Sequence, residues 1–477
     1  MARRPLNGHP VGLWVRWFLG LALITTTWSA ATGRYGGPDE PAHVVRAFAV
    51  AHGDLRGTPT DEFTSGYRLV DVPAALASGD PACYRFDAAV TDACATSAVR
   101  PQGMVTVASA AGTNSPLYYA LVGVPVRVLL PEDEPISYRL VAAAWVSAVL
   151  AAALVRLGRH GARSRVGLAV LTPSAWFLFG VVNPNALEIA LAALAWAFIA
   201  GEGPRRSTAD WAGAGGALAV AVAMRPIAVV VVVAVGTVGV LLDRAGRAET
   251  GSGGRGTGGA GPTSSRRAAM AFLVPVAAAA AWIAIWHRWA DVIIDDPRTA
   301  TDRSTLDVIV SSVGGLPRTV AELVGSLGWL EFWVPSVVIA VWACVTAAVL
   351  ARSRPGGLPV LAWGAVLLGS PVVFEVVAAD EVGLIWQGRY SLPVFIGLST
   401  LVLSSPRPWR FPGHAMAVLG SVEVAAFWWT ARRYEVGTNG PWFPSTPLSA
   451  MVAIHVVLVA GFVTLLGRST RELVQRK

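Results

Sequence analysis

Runs of about 20 apolar residues, the length that crosses roughly 30 Å of hydrocarbon, recur from one end of the chain to the other. The first covers Val11 to Ala31. Others follow at 115–131, 137–155, 166–182, 186–200, 211–223, 226–242, 267–287, 330–350, 358–378, 391–404, 412–429 and 447–467, thirteen in all. Backbone groups inside lipid find no water to bond, so each run is expected to be a helix. Between the first two lies the longest polar region, residues 32–113, broken by Pro59, Pro73, Pro81 and Pro101. It is expected to form an ordered loop carrying short surface helices. The pattern predicts an all-α integral membrane protein with 12–13 transmembrane helices and one large loop after the first.

Charge orients these runs. Arginines gather at 156–165, Arg205-Arg206, 244–267, Arg352-Ser353-Arg354, 407–410 and in the tail after Arg468. Placing all of these in the cytoplasm obeys the positive-inside rule and leaves 32–113 extracytoplasmic. An odd number of crossings must then separate residue 113 from Arg156, yet two apolar runs stand there. The run 115–131 contains Pro116 and Pro125, so it is expected to be re-entrant or interfacial, giving twelve full crossings; the alternative is an external 156–165 loop. Arg3 and Arg4 before the first run resemble a signal peptide. The run's length, its Trp14, Arg16 and Trp17, and the many later spans favour an uncleaved helix. The glycine-rich 251–261 stretch makes 244–267 a flexible cytoplasmic linker between an N-terminal membrane module, 1–243, and C-terminal helices, 268–477. It has no GKS or GKT and no preceding soluble strand, which argues against a phosphate-binding loop.

Composition adds three constraints. At 477 residues, 54% hydrophobic and 14% charged, with mean hydropathy +0.54, the chain is too apolar for a soluble globular protein. Its formal net charge of +8 resides in the inter-helix arginines, which read as signals for an anionic membrane face and not for nucleic acid. Cys344 lies in an apolar run, whereas Cys83 and Cys94 share the 32–113 loop. There a disulfide and two free thiols are the alternatives.

Under this topology five polar clusters share the external side. They are the Asp39-Glu40-His43-Arg46 stretch, Asn183-Pro184-Asn185-Ala186-Leu187-Glu188, Met224-Arg225-Pro226, Asp380-Glu381 through Trp386-Gln387-Gly388-Arg389-Tyr390, and Arg432-Arg433-Tyr434-Glu435. Pro38 followed by two acids is ordinary helix-start chemistry. It does not call for His43 on the same face, four residues after Asp39, nor for Arg46. An acid tuned by such neighbours suits removal of a proton from a hydroxyl. Asn183 and Asn185 read as a turn and helix cap. Glu188 and Arg225, each within or between apolar runs, are costly unless paired or functional. Arg389 offers a planar fork of donors for a phosphate. Arg432 and Arg433 break the positive-inside pattern and are further candidates, or they meet anionic headgroups. Asp380-Glu381 and Asp295-Asp296 offer oxygen ligands for a divalent cation, although paired acids in loops are usually just solvated. There is no HExxH, CxxC pair or GxSxG.

Five motifs together resemble a known group: Gly37-Pro38-Asp39-Glu40-Pro41-Ala42-His43, Asn114-Ser115-Pro116-Leu117-Tyr118-Tyr119, Asn183 to Glu188, Gly325-Ser326-Leu327-Gly328-Trp329-Leu330 and Trp386 to Tyr390. In order and across nearly the whole chain, they are similar to a bacterial family of polytopic membrane proteins of unknown function (DUF2142-like), grouped with the GT-C glycosyltransferases. The resemblance implies a GT-C-like bundle in the bacterial plasma membrane. It further implies a polyprenyl-phosphate sugar donor, an envelope glycan or lipid acceptor, and a catalytic acid in the first external loop. Carried over, Asp39 is the expected general base, Glu40 its partner or substitute, and His43 the group that orients acid or acceptor. Arg225 and Arg389 are expected to bind the donor phosphate. Arg46, Tyr118, Tyr119, Asn183, Asn185, Glu188, Gln387 and Tyr390 are the other expected substrate-binding residues. No metal ligand set is expected. The competing readings are a transporter or flippase of lipid-linked saccharides using Glu188 and Arg225, and a non-catalytic component of an envelope-polysaccharide complex.

Overall fold

The computed structural model describes residues 10–60, 66–79, 81–95, 101–160, 167, 170–201, 206–251, 262–292, 303–405, 413–442 and 445–474. Helices dominate, as the apolar runs require. Eight described helices are long and apolar enough to cross a membrane, or nine if a bent pair counts as one span. Among the described residues, length and hydropathy alone pick out fewer spans than the expected 12–13. Pro116–Leu129, Thr208–Met224 and Gly388–Leu403 are shorter apolar helices. Gly413–Val436 carries His414, Glu423, Arg432 and Arg433, which lower its hydropathy. The helices Val229–Gly251 and Pro262–Trp289 flank the expected linker, whose residues 252–261 lie outside the described set, as do Asp295 and Asp296.

The bent pair is Pro173–Phe179 with Pro184–Ile199, turned through 117°. Its sequence explains the break. Thr172 caps the first helix, and Gly180 ends it where a β-carbon would come within 2.6 Å of Trp28 Cβ. Asn183 then accepts the Asn185 N–H at 2.9 Å while Pro184 occupies the first helical turn. The first helix, Pro10–Ala31, packs along Pro135–Leu157, which also meets Pro184–Ile199. Thr208–Met224 lies against Pro262–Trp289 at a point where a β-carbon on Gly215 would stand 2.4 Å from the Phe272 carbonyl oxygen. Small residues permit such backbone approach between membrane helices.

The 32–113 segment differs from expectation. It contains the helix Glu40–Ala51 and short helical turns, but also a three-stranded antiparallel sheet of Thr58–Pro59, Arg68–Pro73 and Met104–Ser109. Leu69 pairs with Ala108 and Val72 with Val105. The alternating burial of Arg68–Pro73 is the period-two pattern of a strand with one covered face. Cys83 and Cys94 form a disulfide, with Cα atoms 6.2 Å apart. Arg433 holds the same turn by donating to the carbonyls of Val90 at 2.6 Å, Tyr84 at 3.0 Å and Asp87 at 3.1 Å. Arg432 donates to the carbonyls of Thr438, Gly440 and Pro441. Both arginines therefore staple loop backbone to the end of Gly413–Val436.

Candidate functional site

Asp39 is the exposed residue of an otherwise buried turn. Its backbone lies in the left-handed region, φ 60°, and its carboxylate caps nothing on the helix that follows. Helix-start chemistry therefore does not account for it. The side chain is 52% exposed and accepts a 2.9 Å hydrogen bond from Arg389 Nη2, whose own side chain is 8% exposed. Arg389 Nη2 also reaches the Tyr390 hydroxyl at 3.2 Å, while Arg389 Nε and Nη1 are buried with no hydrogen-bond partner. Buried, unsatisfied guanidinium donors are costly unless a ligand meets them.

A second arginine completes the arrangement. The guanidinium groups of Arg389 and Arg225 lie 5.2 and 5.3 Å from the Tyr390 ring centroid. Arg225 Nη1 donates to Glu188 Oε2 at 2.6 Å, and Asn185 Nδ2 to the same oxygen at 3.2 Å. Asn183 Nδ2 donates to the Pro38 carbonyl at 3.0 Å, closing the circuit beside Asp39. Ser115 Oγ donates to the Ala223 carbonyl at 2.6 Å, bringing Asn114–Tyr119 to the Arg225 turn. Tyr119 hydroxyl lies 3.0 Å from His43 Nδ1 and accepts from Asn114 Nδ2 at 2.8 Å. Segments distant in sequence thus converge: 38–43, 114–119, 183–188, 225 and 389–390.

Two expected site residues, Glu40 and Arg46, are engaged elsewhere. Glu40 does not stand beside the Asp39 carboxylate as a second acid. It is fully buried and grips Arg139 through two bonds of 2.7 Å, and it accepts the Gly37 and Val182 N–H groups at 3.0 and 2.9 Å. Arg46 donates to the carbonyls of Leu55 at 2.6 Å and Asn114 at 3.2 Å, so it braces loop backbone. Gln387 caps the helix Gly388–Phe395 by position, and its Oε1 is buried without a partner, as is the Tyr118 hydroxyl. The Asp380-Glu381 pair joins no group of three or more His, Cys, Asp or Glu residues that could hold a metal ion among the described residues.

The supporting residues the sequence reading missed are Arg139, Glu322 and Glu375. Glu322 accepts the Gly388 N–H at 3.0 Å, and Glu375 accepts those of Ile385 and Trp386. Gly388 itself packs so closely on the helix Thr305–Gly325 that a β-carbon would stand 2.4 Å from both Thr319 O and Leu323 N. Arg139 and Glu375 are ionisable groups inside apolar runs, the signal that should have flagged them; Glu322 lies on the helix Thr305–Gly325, which no expected run covered.

Burial pushes the His43 imidazole down to about 4, with Asp39 opposing and Arg225 and Arg389 adding to the shift. His43 is therefore neutral through the physiological range. The unfolded chain takes up this proton first, so the contribution to stability is complete above pH 6.5 and is lost as pH falls towards 4. Its size is roughly 3 kcal/mol. His43→Gln is expected to flatten the fall of melting temperature over that pH interval; a decline as steep as in the wild type would assign it to other groups.

No curated protein matches the chain in sequence. Among solved structures it aligns with ArnT from Cupriavidus metallidurans in the apo state, at 14% identity and TM-score 0.48, covering 97% of this chain and 78% of that one. ArnT from the same organism bound to undecaprenyl phosphate aligns at 15% identity and TM-score 0.47, over 96% and 77% of the two chains. The arabinosyltransferase EmbB from Mycobacterium smegmatis aligns at 13% identity and TM-score 0.35, covering 100% of this chain and 42% of that one. The family described as "Predicted membrane protein (DUF2142)" matches residues 21–398, and the chain is accordingly a multi-pass membrane protein belonging to the DUF2142 family.

Proposed function

We propose that this protein is an inverting glycosyltransferase of the GT-C type that moves a sugar from a polyprenyl-phosphate donor to an envelope glycan or lipid on the extracytoplasmic face. The observation that carries the reading is the half-exposed Asp39 carboxylate resting on Arg389, whose Nε and Nη1 are buried and unpartnered, with Arg225 against the same Tyr390 ring. A donor phosphate placed there supplies acceptors for the free guanidinium N–H groups. Asp39 takes the proton of an acceptor hydroxyl, whose oxygen forms a bond to the anomeric carbon from the face opposite the phosphate. The bond from that carbon to the phosphate oxygen breaks, and its electron pair leaves on the lipid phosphate between the two arginines. Neutral His43, tied to Tyr119, positions the loop without competing for the phosphate.

The test is transfer by the purified protein from a panel of radiolabelled polyprenyl-phosphate sugars to envelope extracts, with Arg389→Ala alongside. Wild type is expected to transfer from at least one donor. Arg389→Ala is expected to raise the donor KM and lower kcat together, for a loss in kcat/KM of about a hundredfold or more. If wild type transfers from none but moves a lipid-linked saccharide across liposomes, the protein is a transporter and the reading falls.

A further inference from the structure

The disulfide-closed turn of the 32–113 segment displays a feature that the donor site does not use. Phe86 is 67% exposed and its backbone is left-handed, φ 66°. For a bulky residue that conformation is a genuine outlier, and such strain persists only where the surroundings enforce it. Here they do. The Cys83–Cys94 disulfide brackets the turn, Arg433 holds the carbonyls of Tyr84, Asp87 and Val90, and the Tyr84 hydroxyl donates to the Arg34 carbonyl. Phe86 meets Trp329 edge to face at 6.1 Å, and the Arg85 guanidinium lies 5.6 and 5.5 Å from the two ring centroids. Arg85 makes no ion pair among the described residues.

We infer that Arg85, Phe86 and Trp329 form a binding platform for a saccharide, and that this saccharide is the acceptor; the second clause rests on the glycosyltransferase reading above. Three observations favour a sugar. An exposed aromatic face offers apolar surface and a negative quadrupole to the C–H face of a pyranose ring. The adjacent guanidinium supplies N–H donors in a fixed fork for ring hydroxyls and, most strongly, for the carboxylate of an acidic sugar. The platform is also joined to the segment that carries the base. Trp329 Nε1 donates to the Tyr35 carbonyl at 3.0 Å, and the Tyr434 hydroxyl to that of Gly36 at 2.9 Å. Four residues of chain from Tyr35 to Asp39 span at most about 14 Å. An oligosaccharide of a few residues lying on Phe86 is thus long enough to reach Asp39. The turn is stapled over the end of Gly413–Val436 by Arg433 and by the Thr438 N–H bond to the Ala88 carbonyl, which holds the platform in place.

The experiment measures saccharide binding by the full chain in nanodiscs, with no donor present. The probes are neutral oligosaccharides and their uronic-acid-terminated counterparts, read by saturation-transfer NMR. Wild type is expected to bind members of the panel, the acidic ones more tightly. Phe86→Gly relieves the left-handed strain, so its melting temperature is expected to equal or exceed that of wild type while binding weakens at least fivefold. Arg85→Gln is expected to remove only the preference for acidic sugars. The platform proposal is overturned if no saccharide binds, if Phe86→Gly binds as wild type does, or if Phe86→Gly instead abolishes capture of phosphatidylglycerol vesicles. Phe86-dependent binding in a protein that transfers no sugar would leave the platform standing and sink the acceptor assignment.

Discussion

Asp39→Asn is expected to lower kcat for sugar transfer by about a thousandfold while leaving the fold and the donor KM nearly unchanged. The magnitude is what a positioned general base contributes to proton transfer, ~10²–10⁴. The separation of effects follows from the site's geometry. Asp39 is half exposed and caps no helix, so its replacement forfeits no buried bond. Its pairing with Arg389 is solvent-screened at the carboxylate end, where such pairs contribute little stability. Asparagine tolerates the left-handed backbone as aspartate does, and its amide oxygen still accepts from Arg389 Nη2. What it lacks is the capacity to take a proton. Melting temperature and donor KM should therefore stay within error of wild type as turnover collapses. Turnover above a tenth of wild type would place the base elsewhere.

The legible parts of this molecule are those written in local pattern. The apolar runs located most of the long helices, though not Thr305–Gly325, and the Asp39, Asn183, Arg225 and Arg389 motifs marked segments that meet, because an ionisable group in an apolar setting needs a partner or a task. Pairing was legible in part: Glu188 and Arg225 stood out singly and are found together. What the motif could not reveal is which of two adjacent carboxylates faces inward. Consecutive residues at a helix start point about 100° apart, since 3.6 residues make a turn, so one acid of Asp39-Glu40 is buried while its neighbour is open. Without the partner Arg139, hidden in the 137–155 run, nothing distinguishes them. The strands of the 32–113 segment were missed because Arg68–Pro73 and Met104–Ser109 are six residues each and separated by the disulfide turn. Such short alternations are weak signals beside the long apolar runs.

Removing the arginine from that buried pair gives the largest expected loss of stability. Arg139 is 4% exposed and Glu40 fully buried; beyond their two mutual bonds, the guanidinium donates to the carbonyls of Ser29 at 2.9 Å, Thr32 at 2.6 Å and Gly33 at 2.7 Å. It therefore ties the end of the first helix to the turn that carries Asp39. Arg139→Met leaves a buried carboxylate with only two backbone N–H partners and takes the guanidinium donors from the Ser29, Thr32 and Gly33 carbonyls, of which Gly33 keeps the Gly36 N–H at 2.9 Å; the cost is about 3–5 kcal/mol. Glu40→Gln strands the cation in the same way, with the amide still accepting one guanidinium bond, and is expected to cost less. Combining Glu40→Leu with Arg139→Met removes both charges and should recover part of the loss, because apolar replacement of a whole buried pair is far less damaging than breaking it. Thermal unfolding in detergent measures all three. The same variants decide which acid does the chemistry. If Glu40 is the base, Glu40→Gln abolishes turnover at an unchanged melting temperature and Arg139→Met leaves stability intact. If Glu40 is the anchor, both variants melt early, and the protein that remains folded at low temperature still turns over through Asp39.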